Sequence, residues 1–216
     1  MIVPAVLPLD FFSQPATLVA PRLLGALLVR VVEGIRLSGI ITEVEAYQGI
    51  EDLGCHAHVG LTPRNAPLFE APGRAYVYFT YGMHWMMNAV CDQEGTPAAV
   101  LIRAIFPLEG LQLMRLNRPV LADKPNWLNG PAKLTQALAI DKSHNRFDLC
   151  DPNSPLRIEQ GIGIPADLVR TTARIGLGKT PEPWLSIRWR WVVHYGDIQN
   201  ITIGKQFDSL PRQNLG

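Results

Sequence analysis

Eighteen prolines and eighteen glycines are scattered along the 216 residues, so the apolar stretches are repeatedly cut short. Proline removes a backbone donor and glycine adds chain entropy in any regular element, so a sequence punctuated this way reads as many short strands joined by turns. The longest uninterrupted apolar run, residues 23–29, already contains Gly25. Nothing approaches the ~20 consecutive apolar residues of a membrane span.

Hydrophobic periodicity then fills in the elements. Residues 16–24 read as a short helix, 27–32 as an apolar strand, Glu33-Gly34 as a turn and 36–47 as the returning strand. Residues 49–67 are polar, with Gly, Pro and Asn, and read as a long functional loop. Further strands are expected over 74–80, 83–91 and 98–106, with a turn at Tyr81-Gly82. A helix over 132–140 has its breaker and first-turn proline in Asn129-Gly130-Pro131, an apolar stripe of Leu134, Ala137 and Leu138, and an N-terminus able to seat a phosphate. Residues 151–165 read as loop and 185–195, rich in Trp, Val and Tyr, as a late strand. No linker divides the chain. The expected fold is α/β in the α+β sense, one domain over 1–216, with a curved, mainly antiparallel sheet flanked by helices.

A mean hydropathy of +0.08 suits a globular protein, and the length suffices for a core without staples. Cys55, Cys91 and Cys150 are odd in number and far apart, which speaks against a disulfide framework or a closed cysteine zinc site. The first dozen residues hold two prolines and no cationic segment, so they do not read as a secretory signal, and the expected location is the cytoplasm or nucleoid. Net charge is only +1, but residues 1–108 hold 6 Lys+Arg against 9 Asp+Glu while residues 109–216 hold 14 against 10. A basic half could face phosphate while an acidic half carries chemistry; a random split of solvated charge explains the numbers equally well.

Two constellations carry possible chemistry. Alternation along residues 39–47 sends Ile41, Glu43, Glu45 and Tyr47 to one face and Ile40, Thr42, Val44 and Ala46 to the other. Carboxylates two apart on a strand stand roughly 6–7 Å from each other, a spacing suited to acid and base work on a glycosidic bond. Pairing with Lys or Arg at a sheet edge is the other reading. The second constellation, Tyr76-Val77-Tyr78-Phe79-Thr80-Tyr81-Gly82, sets Tyr76 and Tyr78 on one face and Tyr81 at the turn. Tyrosine faces can clasp a flat base and favour a cationic one, and Tyr81 could wedge into a base stack; filling a sheet core is the alternative. Cys55, His56 and His58, near Glu51 and Asp52, lack the spacing of a closed metal site, and no distant ligand pair completes them. No phosphate-binding glycine fingerprint, P-loop or nucleophile elbow is present.

Taken in order, several blocks resemble a known family: Glu43-Val44-Glu45-Ala46-Tyr47, Asp52 and His56, Thr62-Pro63-Arg64-Asn65, Pro72-Gly73-Arg74-Ala75-Tyr76-Val77-Tyr78, Tyr81-Gly82-Met83, Asn88, Leu101-Ile102-Arg103-Ala104, Gly130-Pro131-Ala132-Lys133-Leu134 and Arg174-Ile175-Gly176. Together they resemble the alkyladenine (3-methyladenine) DNA glycosylases, most strongly over residues 23–149. The resemblance implies excision of 3-methyladenine, 7-methylguanine, hypoxanthine or ethenoadenine from duplex DNA by a monomer, with no cofactor, no metal and no membrane. Glu45 matches the general base and Arg103 a residue near the target backbone and the catalytic water. Tyr47, His56 and Tyr78 match the base pocket, Asn88 the side chain that obstructs the 2-amino group of guanine, and Tyr81 the intercalating wedge, with Met83 beside it. Glu43 and Tyr76 would support these groups. His84, Trp85 and Leu68 depart from the common pattern, and residues 108–128 and the tail after Trp184 match less well, so the phosphate-gripping cations do not carry over. No lysine accompanies Glu45 or Tyr47, so hydrolysis to an abasic site is expected rather than Schiff-base chemistry. The rival readings are a damage-binding module without catalysis and a glycoside hydrolase that uses Glu43 and Glu45.

Overall fold

The computed structural model describes residues 5–119 and 127–208. Its centre is an antiparallel sheet of eight strands: β1 (Leu27–Val32), β2 (Ile35–Gln48), β3 (Ala75–Thr80), β4 (His84–Val90), β5 (Ala98–Glu109), β6 (Leu156–Glu159), β7 (Arg170–Thr172) and β8 (Arg190–Val192). The order is β3-β4-β5-β2-β1-β6, with β8 bonded to both β2 and β7. β2 is the axis of the sheet. One edge pairs with β5 along nearly its whole length, and the other pairs with β1 up to Ile40 and with β8 from Glu43 to Glu45. A strand enclosed on both edges has its backbone groups satisfied by ladders, and β2 is buried from Leu37 to Ala46.

Turn chemistry fixes the registers. Glu33 and Gly34 both have positive φ, the requirement of the tight hairpin that joins β1 to β2. Around the sheet lie α1 (Leu9–Phe12), α2 (Ala16–Leu23), α3 (Leu111–Asn117), α4 (Pro131–Ala137) and α5 (Tyr195–Asp208). Ala16, Val19, Ala20 and Leu23 recur at helical spacing and are all fully buried, so α2 closes the apolar core behind β2. Gly130 and Pro131 open α4 as expected, but Ala139 turns to positive φ and the helix stops short of 140.

The mixed architecture and the antiparallel sheet agree with the sequence reading; several elements do not. Within 151–165, expected as loop, Leu156–Glu159 forms β6, a short strand that finds β1's open edge. Within 185–195, expected as strand, only Arg190–Val192 is strand, with Trp189 and Val193 bonded to β2 on either side of it, and Tyr195 begins α5. Before β8 the backbone turns on itself, the Ile187 amide bonding the Pro183 carbonyl, and the rings of Trp184 and Trp189 pack together. Neither α1 nor α3 was expected. Of the stretch 108–128, residues 120–126 lie outside the described residues, as do 1–4 at the head and 209–216 of the tail.

Candidate active site

The β2–β5 ladder carries two irregularities at one point. Ile41 pairs with Ile105 and Glu43 with Ala104, leaving Thr42 as an extra residue; Glu43–Ala104 is followed by Val44–Ile102, leaving Arg103 as a compensating extra residue on β5. An extra residue in one strand reverses the faces beyond it. Simple alternation put Ile41 on the face of Glu43 and Glu45. The bulge at Thr42 corrects this, sending Ile41 into the apolar core with Val44 and Ala46 and leaving the carboxylates on the other face. Arg103, freed from the regular ladder, reaches both of them.

Glu45 is fully buried, and three separate groups donate to its carboxylate. Oε2 accepts the Tyr47 hydroxyl at 2.9 Å and Nη1 of Arg103 at 3.1 Å, while Oε1 accepts the backbone N–H of Ile175 at 2.7 Å. Oε1 therefore keeps acceptor capacity for one further donor, such as a water. Burial raises the Glu45 pKa, and Arg103, the Ile175 amide and Tyr47 oppose that rise. The result is a carboxylate more basic than a solvated one but still supported in its ionised form. Glu43, the second carboxylate, is turned to other duties: its Oε1 accepts Nε of Arg103 and Nε of Arg190, each at 2.7 Å.

Beside Glu45 lies a cavity of about 410 Å³ whose lining includes Tyr47, His56, Tyr76, Tyr78, Tyr81, Asn88 and Arg103. That size is in the usual range for small-ligand sites. Tyr76 and Tyr78 stack with centroids 5.2 Å apart, and His56 meets Tyr78 edge-on at 4.5 Å. The His56 ring shares a hydrogen bond of 3.0 Å with the Tyr76 hydroxyl. Burial, reinforced by Arg64 and His58, pushes the His56 pKa down to about 4, so the ring is neutral at physiological pH. Burial raises the Tyr78 phenol to about 12 and, with help from Glu45, holds Tyr47 well above the usual phenol range, so both hydroxyls keep their protons. Asn88 donates to the Tyr76 carbonyl at 3.0 Å, which fixes its amide on the cavity wall. At the tip of the β3–β4 hairpin, Tyr81 is 74% exposed and Met83 68% exposed, with Tyr81 in the left-handed region. Two large apolar groups thus project beside the cavity mouth with no core to hold them.

The polar segment 49–67 is more ordered than a loop reading suggests, with 3-10 turns over His56–Val59 and Ala66–Phe69. Its anchor is Asp52, buried with Arg174 at zero exposure for both side chains and bonded to it at 2.6 and 2.8 Å. Asp52 also accepts the amides of Gln48 and Gly54, which ties the segment to the end of β2. The Arg174 guanidinium lies 4.7 Å from the Tyr47 ring centroid and holds that ring from behind. Cys55, His56 and His58 point to separate partners: Cys55 Sγ accepts the Ala57 amide, and the His58 ring meets the Cys55 carbonyl. Among the described residues no group of three His, Cys, Asp or Glu side chains is placed to hold a metal.

A buried carboxylate beside an aromatic cavity, with an exposed tyrosine at its rim, has the make-up of a site for a flat ring, and comparison with known proteins supplies the family. The family model described as methylpurine-DNA glycosylase matches residues 10–196. The chain belongs to the methylpurine-DNA glycosylase family. Among its relatives, a protein of Prosthecochloris aestuarii is 45% identical over 84% of each chain, and one of Burkholderia lata is 45% identical over 88% of each. A third, from Rhodopseudomonas palustris, is 46% identical over 81% of this chain and 82% of its own. All three carry the name "Putative 3-methyladenine DNA glycosylase".

The cavity of this glycosylase brings together Tyr47, His56, Tyr76, Tyr78, Tyr81, Asn88 and Arg103; Glu45 lies behind its lining, bonded to Tyr47, Arg103 and Ile175, Glu43 lies behind Arg103, and Met83 stands out at the hairpin tip. Three contributors were not assigned a role from the sequence. The Ile175 amide and Arg174 belong to a matching block, Arg174-Ile175-Gly176, but a backbone donor leaves no residue-type signal. Arg190 sits in Arg188-Trp189-Arg190-Trp191, whose alternation of cations and rings was the available hint of a strand with one charged face.

Proposed function

We propose that this chain is a monofunctional base-excision glycosylase. It extrudes alkylated or deaminated purines, of the 3-methyladenine, 7-methylguanine, hypoxanthine and ethenoadenine class, from duplex DNA and hydrolyses the N-glycosidic bond. The observation that carries the proposal is the Glu45 carboxylate: fully buried, held by Tyr47, Arg103 and the Ile175 amide, and adjacent to an aromatic cavity of about 410 Å³. The whole chain is read as one glycosylase domain working as a monomer on DNA in the cytoplasm. Among the described residues, no helix is long and apolar enough to cross a membrane.

In the proposed reaction a water bound at Oε1 of Glu45 attacks C1′ of the extruded nucleotide. The C1′–O bond forms, the bond from C1′ to the purine nitrogen breaks, and the water proton passes to Glu45. Positive charge that develops on the sugar is stabilised by the same carboxylate. A cationic methylated purine departs as a neutral base and needs no acid. Tyr47 and Tyr78 favour such a base through their ring faces, Tyr76 and neutral His56 form a fixed hydrogen-bonding edge, and Asn88 obstructs the 2-amino group of normal guanine, a hindrance that the better leaving ability of cationic 7-methylguanine offsets. Tyr81, with Met83, fills the gap left in the duplex.

Duplexes that each carry one lesion, incubated with the protein and then treated with alkali, test the proposal: strand breaks at the lesion are expected. Glu45→Gln should retain lesion binding and lose turnover by at least about 100-fold, the scale of general-base catalysis. Tight binding without breaks for every lesion would support a silent binding module, and full activity of Glu45→Gln would remove Glu45 from the role of base.

A further inference from the structure

Arg103 divides its guanidinium between two carboxylates, Nε on Glu43 and Nη1 on Glu45. The more favourable arrangement for an arginine is usually a parallel two-pronged grip on one carboxylate. Here Glu43 is itself shared with a second cation. Arg190 arrives from β8, directly across from Glu45 in register, and places its Nε 2.7 Å from the same Glu43 Oε1 that Arg103 Nε uses. Its other arm is pinned by Thr172 Oγ1 on β7 at 2.8 Å. Glu43 is 4% exposed and Arg103 9%, so neither group has water as a ready substitute partner. Two arginines and two glutamates thus form a neutral chain, Arg190–Glu43–Arg103–Glu45, that ends on the base.

We propose that Arg190 is a positioning residue for the glycosylase reaction: its cation on Oε1 balances the charge of Glu43, so that Arg103 is shared between the two carboxylates and its Nη1 stays on Glu45. The inference rests on Glu45 being the base. Without Arg190, Glu43 is short of a cation: it draws Arg103 toward itself, which weakens the Nη1 bond to Glu45, and its unbalanced charge faces Glu45. The groups that then still face Glu45 are Glu43 and Tyr47 on β2, Tyr78 on β3 and the Ile175 amide with Arg174 behind Tyr47. Burial and Glu43 both act against ionisation of Glu45, and Arg103 is the largest influence opposing them. Weakening of that bond therefore costs activity in acid more than in alkali.

A second cavity, of about 460 Å³, makes this testable by chemical rescue. It is lined by Glu43, Arg190, Asn129 and His194 and lies on the Glu43 side of the chain of ion pairs, away from the base cavity. Truncation of Arg190 enlarges this space next to Glu43, where a free guanidinium ion can replace the lost fork.

The experiment is a pH profile of single-turnover excision from a 7-methylguanine duplex, a cationic lesion that needs no acid. It compares the unaltered protein with Arg190→Ala and Arg190→Lys. The acid limb of Arg190→Ala is expected to move up by about one pH unit, since a nearby opposite charge lowers a carboxylate pKa by one to three units. Rates should converge at alkaline pH, millimolar guanidinium should restore the limb where sodium chloride of equal ionic strength does not, and Arg190→Lys should fall between. In a Glu43→Gln background, Arg190→Ala should add no further shift. An unmoved limb, or a uniform loss at every pH without guanidinium rescue, overturns the proposal. Should Arg190→Ala fail to fold, Arg190→Lys in the two Glu43 backgrounds decides by the same criterion. Absence of excision by the unaltered protein overturns the glycosylase reading itself, and this inference with it.

Discussion

The Asp52–Arg174 pair offers the sharpest test of how the site is held. Both side chains have zero exposure, and Asp52 accepts four hydrogen bonds, from the Gln48 and Gly54 amides and from both terminal nitrogens of Arg174. Asp52→Ala leaves a guanidinium buried with only the carbonyls of Ala46 and Trp184 and two ring faces as company. Removing one member of a buried pair in this way typically costs about 3–5 kcal/mol. At roughly 2–4 °C per kcal/mol for a chain of this size, the melting temperature should fall by about 6–20 °C. Urea melts of the parent, Asp52→Ala, Arg174→Met and the double variant form a cycle. The double variant should be more stable than the sum of the two single losses predicts, because the second substitution removes the stranded charge. A loss below about 1 kcal/mol for Asp52→Ala, or strict additivity across the cycle, would refute the clamp. The variant's excision activity should fall with its fold, since the segment that carries His56 and the support behind the Tyr47 ring share this anchor.

Tyr47→Phe keeps the stacking ring but removes a hydroxyl bond to ionised Glu45, worth about 1.5–3 kcal/mol; the acid limb of the excision profile should rise by roughly one to two pH units, and an unchanged limb would show that the bond does not tune the base. His56 has its folded pKa lowered to about 4 against an ordinary value of 6.5, so its contribution to stability is fully present above pH 6.5 and is lost as pH falls from there toward 4. Urea melts across that window should show a decline on the order of 2–3 kcal/mol that is largely absent from His56→Gln; equal declines in both proteins would assign the acid sensitivity elsewhere. Tyr81→Ser should leave the melting curve within about 0.5 kcal/mol of the parent, because the ring is 74% exposed, yet weaken binding to a lesion duplex on the order of tenfold or more. Full lesion affinity in that variant would remove Tyr81 from the role of wedge.

Short-range signals made much of this legible. Glu33-Gly34 announces its hairpin, Gly130-Pro131 the start of α4, and the alternating pattern of β2 the shared face of Glu45 and Tyr47. Reading fails where a long-range contact decides. Ile41 changes face because of a bulge whose compensating partner, Arg103, lies on a strand some sixty residues away. Leu156–Glu159 is a strand only because β1 offers an edge, and residues 185–195 are mostly not strand because the amides of Leu185, Ile187 and Trp189 bond carbonyls a few residues back and Tyr195 begins α5. Within the site, the groups that stack or titrate were visible by residue type. The Ile175 amide, a backbone donor 130 residues from Glu45, was not, and neither was Arg190, which reaches Glu43 across 147 residues.

β2 shares its outer edge between an early neighbour, β1, and a late one, β8. This division sets the order in which a growing polypeptide acquires competence. The ladder with β5 needs the chain up to about residue 109, and a nascent product of that length already contains Glu45, Tyr47, Tyr78 and Arg103. It lacks the Ile175 amide and the Arg190 that orders Glu43, which join across 130 and 147 residues. Contacts of such separation form late and slowly. A prematurely terminated product therefore carries the carboxylate without the partners that hold it, and the readiness to cut glycosidic bonds arrives only with nearly the whole chain.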